Sequence, residues 1–269
     1  MDISVIIPTY HPRPELLGYC LQSLANQTLD KARFEVVAVQ NGPDINTDTL
    51  ELIAAHYPQL QLKLIKTSTA GVSNARNLGI DASTGANICF IDDDDWVSED
   101  FLEKLLTHQG EGDIIVSFFA TRTAVDGLDE PDYVGTAYRQ LVNRGSVGIY
   151  EGRRFIGSAC GKLIPRQIIG DNRFNTHFAM GEDALFMAQL TKGIQSIKIA
   201  PEFPTYYRRF NPESASRTKK PFTKRLNNLL RLWSAYARIY LSAPRRYELR
   251  FFINRLLASA KWLFMWKVR

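Results

Sequence analysis

Cysteine is scarce in this chain of 269 residues: Cys20, Cys89 and Cys160 are an odd number, far apart, each in an apolar or helical context. That excludes a disulfide framework and leaves small buried thiols as the reading. His11, His56, His108 and His177 are scattered with no metal-spacing pair, so zinc is not indicated. No apolar run approaches about eighteen uninterrupted residues, so no spanning helix is expected. The chain opens directly on the apolar run from Ile3 to Ile7 without a basic flank. No signal peptide is therefore expected, and the reducing cytoplasm is the expected compartment. A Gly-rich phosphate loop is missing too, because the turn after that run reads Pro8-Thr-Tyr-His11. This argues against a dinucleotide-binding dehydrogenase and against a sugar nucleotidyltransferase. Repeats and low-complexity segments are lacking.

What is present is apolar material for one sizeable core: 45% hydrophobic residues beside 23% charged ones. One α/β domain plus an appendage fits that length. The net charge of +5 conceals an asymmetry. Residues 217–269 hold fourteen Lys or Arg against one acid, Glu248, whereas residues 1–216 carry a net negative charge. The two parts are physically different objects.

Short, β-rich apolar runs at 4–7, 34–39, 62–65, 88–91 and 113–118 alternate with helical patterns at 14–26, 47–56, 72–81 and 98–107. The alternation predicts a mostly parallel sheet covered on both faces. Ser98 is the expected N-cap of the last of these helices. Residues 120–150 show no clear period. A helix is expected at 182–190, strands at 196–199 and 205–209, and two basic, aromatic helices at about 221–241 and 245–267, parted by Pro244. In such sheets ligands bind beyond the carboxyl ends of the strands, which here carry Thr9-Tyr10, Gln40-Asn41, Ser68-Thr69 and a run of four aspartates.

That run, Asp92-Asp93-Asp94-Asp95 behind the apolar Cys89-Phe-Ile, is the strongest signal. Bunched carboxylates repel one another unless something positive sits among them. A hard divalent cation, Mn²⁺ or Mg²⁺, meets the need, with diphosphate oxygens completing its shell. The bland alternative is a solvated acidic turn capping a helix.

The chain here resembles the family-2 glycosyltransferases of the GT-A fold, a Rossmann-like, mostly parallel sheet with flanking helices. The resemblance runs from residue 3 to about 216. Ser4-Val-Ile-Ile-Pro-Thr-Tyr10 is similar to the family's opening strand, and Ala70-Gly-Val-Ser-Asn-Ala-Arg-Asn-Leu-Gly-Ile80 to its third signature. Phe90-Ile-Asp-Asp-Asp-Asp-Trp96 is similar to its metal motif, and Gly181-Glu-Asp183 to its late acidic pair. The resemblance implies an inverting transfer from a nucleotide diphosphate-sugar, UDP-linked by first choice and dTDP-linked by second, to a hydroxyl of a glycan or polyprenyl-linked acceptor. It places Pro8, Thr9, Tyr10 and Asn41 around the nucleobase, and Arg76 and Asn77 facing the nucleotide. Asp92 or Asp93 approaches ribose and sugar, Asp94 holds the metal, and Asp183 is the catalytic base. Helix-end roles for Glu182 and Asp183 stay open at this stage. The amide in Val39-Gln40-Asn41-Gly42 departs from the carboxylate common in the family. No His occurs in 206–216, the segment similar to the family's mobile stretch, where Arg208 is a possible diphosphate contact.

Residues 217–269 form the expected basic helical tail. It holds Trp233, Trp262 and Trp266, with Phe252, Leu256 and Leu263 extending the apolar surface. A cationic amphipathic helix lying on an anionic membrane surface fits this pattern, on the inner face of the cell membrane. Packing on the catalytic domain is the competing reading. Nucleic acid, which basic residues with interleaved aromatics also suit, is not the expected partner. The non-enzymatic alternative is a degenerate transferase kept as a binding module, which predicts loss of the acidic residues. They are present.

Overall fold

The computed structural model describes residues 1–43, 48–110, 112–122, 129–209 and 221–264. β1 (Ile3–Thr9) and β2 (Phe34–Asn41) are buried along their whole length, as near-continuous apolar runs must be when helices cover both faces. β1 pairs in parallel with β2 on one side and with β4 (Asn87–Phe90) on the other, and β2 pairs in parallel with β3 (Leu62–Thr67). α1 (Pro14–Ala25), α2 (Thr49–Ala54) and α3 (Val72–Ala82) supply the crossovers. α1 starts on Pro14, whose fixed φ and missing N–H suit a first helical position. It buries Leu17, Cys20, Leu21 and Leu24 on one stripe.

Past β4 the expectation of a simply continued parallel sheet needs correcting. Residues 113–118 are not one strand but two, β6 (Asp113–Val116) and β7 (Phe118–Arg122). The break falls at Ser117, whose N–H and hydroxyl both donate to the Gly161 carbonyl. β6 stays in the large sheet and β7 crosses to a second, smaller one. The large sheet takes its next strand from far downstream: β10 (Lys162–Pro165) runs antiparallel between β4 and β6. β11 (Ser196–Ile199) and β9 (Ser146–Val147) complete it. The small sheet orders β5 (Trp96–Val97), β12 (Thr205–Arg209), β7 and β8 (Asp129–Pro131).

Helix boundaries move as well. α4 begins at Phe101 (Phe101–Thr107), because Ser98 does not cap it. Its hydroxyl accepts from the Thr205 N–H at 3.0 Å and donates to Asp100 at 2.8 Å, so it ties the start of β12 to β5 instead. In the stretch without period lies α5 (Tyr133–Leu141), capped by Asp132 through the N–H groups of Val134 and Gly135. α6 (Arg166–Ile169) is a single turn, and α7 (Glu182–Leu190) occupies its expected place.

The tail is a helical hairpin, α8 (Phe222–Ser242) and α9 (Leu249–Phe264). Leu232, Ala235, Tyr236, Tyr247, Phe251 and Phe252 belong to the same buried cluster as the sheet. The Tyr247 hydroxyl donates to the Gln189 carbonyl, and Glu248 accepts from the Tyr150 N–H. Packing on the domain is therefore a property of this hairpin. The side chains of Trp262 and Leu263, residue Trp266 and the segment 210–216 lie outside the described residues. No helix among the described residues is long and apolar enough to cross a membrane.

Candidate active site

The carboxyl ends of β1, β2 and β4 open on one side of the sheet and bring the expected residues together. Thr9, 1% exposed, donates its hydroxyl to Asp93 at 2.5 Å, which ties the first strand to the acidic run. Asn41 is buried and braces three segments. Its amide nitrogen donates to the Thr9 carbonyl at 2.8 Å, and its oxygen accepts from the Gly71 N–H at 2.8 Å. Pro8 is buried within β1. Tyr10 is half exposed and lies over Gly42, where a Cβ would sit 2.5 Å from the tyrosine ring. Gly42 also has a φ of +113°, so glycine meets both demands. The exposed aromatic ring above the ends of β1 and β2 is a ready wall for a flat base.

The four aspartates do not act as one cluster. Asp92 accepts from Arg76 at 2.8 Å. Asp94 accepts from Arg13 at 3.3 Å, in a pair whose arginine is largely exposed. Asp95 turns inward, accepting from the Tyr206 hydroxyl at 2.7 Å and from the Arg209 N–H at 2.9 Å. Tyr206 in turn accepts from the Asp92 N–H at 3.1 Å. Burial pushes the Asp93 carboxyl up to about 6, against the opposing Thr9 hydrogen bond. Burial and then Asp92 raise Asp94, while Arg13 works the other way.

Asp95 and Tyr206 are structural keystones whose pairing no sequence pattern singles out. Burial and then Asp92 push the Asp95 carboxyl up to about 8, from about 3.9 in an unperturbed aspartate. Between those values the folded protein binds more protons than the unfolded chain, so this group makes stability fall as pH rises from about 4 to about 8. Asp95→Asn is expected to flatten that slope by up to about 1.4 kcal/mol per pH unit. Urea titrations of both proteins across the window in EDTA check this, and parallel profiles would refute it.

Arg76, expected to face the nucleotide, is a buried residue of α3. It is 3% exposed and spends one terminal nitrogen on Asp92 and the other on Asp183, at the start of α7. Burial acts to lower its pKa, yet Asp183, Cys160 and Asp92 together hold it well above the ordinary value. Asn77, the other residue expected to face the nucleotide, is tied to a loop backbone. Its amide donates to the Phe174 carbonyl and accepts from the Phe174 N–H. That fixes the Phe174 ring 5.4 Å from the Arg76 guanidinium and stacks it on Phe186 of α7. Asn77 is thus a brace beneath Arg76.

Asp183 accepts further, longer bonds from the Ser158 hydroxyl and the Ala159 N–H, 3.4 and 3.3 Å away. Its neighbour Glu182 has its pKa raised by burial and then by Asp183. Lys162 sits behind this loop, 1% exposed, donating to the Cys160 carbonyl, and burial lowers it to about 8. Ser158, Cys160 and Lys162 carry no spacing that marks them in the sequence. Arg208, a possible diphosphate contact, is paired with Asp132 at 2.7 Å.

Among the described residues, no three His, Cys, Asp or Glu side chains converge into a metal cage. The donor set still suits a hard cation. Mg²⁺-like ions are commonly held by one or two carboxylates plus substrate phosphates. Asp92, Asp93 and Asp95 are committed to buried partners, whereas among the described residues Asp94 pairs with a largely exposed arginine.

Residues 4–163 match the model of glycosyl transferase family 2. The chain belongs to that family. It is 24% identical over 208 residues to the poly(ribitol-phosphate) beta-N-acetylglucosaminyltransferase TarP of Staphylococcus aureus, covering 76% of this chain and 62% of TarP. It is 28% identical over 230 residues to the minor teichoic acid biosynthesis protein GgaB of Bacillus subtilis, covering 81% of this chain and 24% of GgaB. The S. aureus TarS 1–349 structure in complex with UDP-GlcNAc superposes with a TM-score of 0.70 at 21% identity, over 88% of this chain and 66% of that one. The likeness shows the fold: a family-2 sheet with flanking helices. The chain spans less than two-thirds of each of these relatives.

Proposed function

We propose that this protein is an inverting glycosyltransferase that moves a sugar from a nucleotide diphosphate-sugar to a hydroxyl of a glycan or polyprenyl-linked acceptor in cell-surface polysaccharide synthesis. One observation carries the reading: Asp92, at the end of β4, and Asp183, at the start of α7, share a single buried guanidinium, Arg76. Two acidic motifs far apart in the chain thereby meet at the carboxyl ends of the strands.

The base lies between Tyr10 and the Asn41 corner, and the ribose and sugar lie towards Asp92 and Asp93. Asp183 accepts the proton of the acceptor hydroxyl as that oxygen attacks the anomeric carbon in line. The nucleotide diphosphate departs from the opposite face, the configuration inverts, and no glycosyl-enzyme intermediate forms. Asp94 is the residue that would hold Mn²⁺ or Mg²⁺ together with the diphosphate, where the cation neutralises charge on the leaving group. UDP is the first choice of nucleotide, a choice supported by the UDP-GlcNAc bound to TarS, and dTDP is the second. The acceptor chemistry places the enzyme at the inner surface of the cell membrane, held there by the basic tail.

The test is a thermal-shift screen with UDP, dTDP, GDP and CMP, each with Mn²⁺ or with EDTA, since a ligand of the folded state raises its apparent stability. A shift with one diphosphate that disappears in EDTA supports the proposal. No shift with any nucleotide, in protein shown to be folded, refutes it. Asp94→Ala is expected to weaken Mn²⁺-dependent nucleotide binding at least about tenfold, a loss of about 1.4 kcal/mol. Unchanged affinity by calorimetry would remove Asp94 as the ligand.

A further inference from the structure

α8 and α9 bury one side against the domain and leave a second apolar side open. On α8 the open residues are Phe222, Leu226, Leu230 and Trp233, between 37% and 55% exposed. Their i, i+4, i+8, i+11 spacing is one helical stripe. On α9 Leu249, Ile253 and Leu257 repeat the pattern at 47–59% exposure. The helices run antiparallel, because Tyr236 and Tyr240 meet Phe252 while Trp233 donates its indole N–H to Ser259. With the inward residues Leu232, Ala235 and Phe251 fixed, helical periodicity places both open stripes on the outer side of the seam between the helices. Arg250 and Lys261 border the α9 stripe at helical spacing, while the α8 cations Lys224, Arg231 and Arg238 lie across that helix from its stripe, Arg231 against the domain.

We propose that this outward face is a docking surface for an anionic lipid bilayer, a deepening that rests on the transferase reading above. Charge complementarity selects the occupant. Residues 221–264 carry nine Lys or Arg against Glu248 alone. A second copy of the chain would set two strongly positive hairpins against each other, whereas an anionic leaflet offers the opposite sign together with an apolar interior. The hairpin is also fixed relative to the site. Leu232 rests on Gly181, whose φ of +86° begins α7 directly before Glu182 and Asp183, and a Cβ there would meet the leucine at 2.9 Å. Arg231 donates to the His177 carbonyl and lies over the Phe178 ring. A bilayer bound to the outer face therefore lies one helix thickness from the catalytic base, where a lipid-linked acceptor presents its headgroup.

The full chain is sedimented with vesicles of phosphatidylcholine alone or mixed with phosphatidylglycerol, at low and high salt. Wild type is expected to bind the mixed vesicles, to bind less at high salt, and to ignore phosphatidylcholine alone. The variant Leu226→Ser/Leu230→Ser/Ile253→Ser/Leu257→Ser changes only exposed positions. It is expected to keep the wild-type melting temperature and nucleotide shift while partitioning about tenfold less or weaker still. Equal partitioning of the variant, no binding by wild type, or a wild-type dimer that the variant dissolves would each overturn the docking surface. Vesicle binding lost in the variant while neither protein responds to any nucleotide would refute the transferase reading and leave the docking surface supported.

Discussion

Replacing Asp183 with asparagine is expected to lower kcat about a hundred- to ten-thousandfold, the range for losing a positioned general base. Nucleotide diphosphate binding with Mn²⁺ should persist, because Thr9, Tyr10, Asn41 and Asp94 are untouched. The geometry makes the substitution more than a loss of a proton acceptor. Asp183 holds Arg76 on one oxygen and receives Ser158 and Ala159 on the other. An asparagine must turn its NH₂ towards either the guanidinium or the Ala159 N–H, and both are donors. A fall in melting temperature is therefore expected with the fall in rate. Asp183→Glu separates the two, since it keeps the charge but displaces the oxygen. It should recover stability and not turnover. Near-normal turnover in Asp183→Asn would eliminate the residue as base.

Much of this arrangement was legible because the relevant residues sit on regular elements. β1, β2 and β4 are short apolar runs ended by Pro, Gly or Asp, and a period-2 or continuous pattern with such punctuation identifies a buried strand. The positions of Thr9, Asn41 and Asp92–Asp94 at one edge follow from that alone. β10 was not legible. Lys162-Leu-Ile-Pro165 is four residues long and opens on a lysine whose charge argues against burial. Only the tertiary setting, with Lys162 over the Phe119 ring and donating to Cys160, makes it a central strand. The sheet change at Ser117 was hidden for a similar reason. The run Asp113-Ile-Ile-Val-Ser-Phe118 reads as continuous, and the division comes from a carbonyl of residue 161.

Within the site, residue type was readable and partnership was not. Four consecutive aspartates suggest a common task, yet each side chain points to a different partner. The run is the corner where β4 passes into β5, and its backbone turns there. Asp95 became a buried acceptor for Tyr206 because β12 pairs with β5 across more than a hundred residues. No local pattern encodes that distance. Asn77 likewise read as a nucleotide contact, because the family resemblance assigns it there. Its partner in the structure, the backbone of Phe174, belongs to a loop without periodicity.

The largest effect on the folded state is expected from Arg76→Met. The guanidinium is buried beneath two carboxylates, and deleting one member of a buried ionic group leaves the others uncompensated at a loss of about 3–5 kcal/mol. Urea unfolding at pH 7 reads this directly. Arg76→Lys retains the charge but not the planar fork that reaches Asp92 and Asp183 together, so it is expected to fall between wild type and methionine. The double variant Arg76→Met/Asp183→Asn decides the cause. If the methionine variant suffers because Asp183 is stranded, removing that charge must recover part of the loss, with a coupling of about 0.5–3 kcal/mol. Strict additivity would mean that Arg76 and Asp183 are not electrostatically coupled, and the electrostatic link between the two acidic motifs would have to be abandoned.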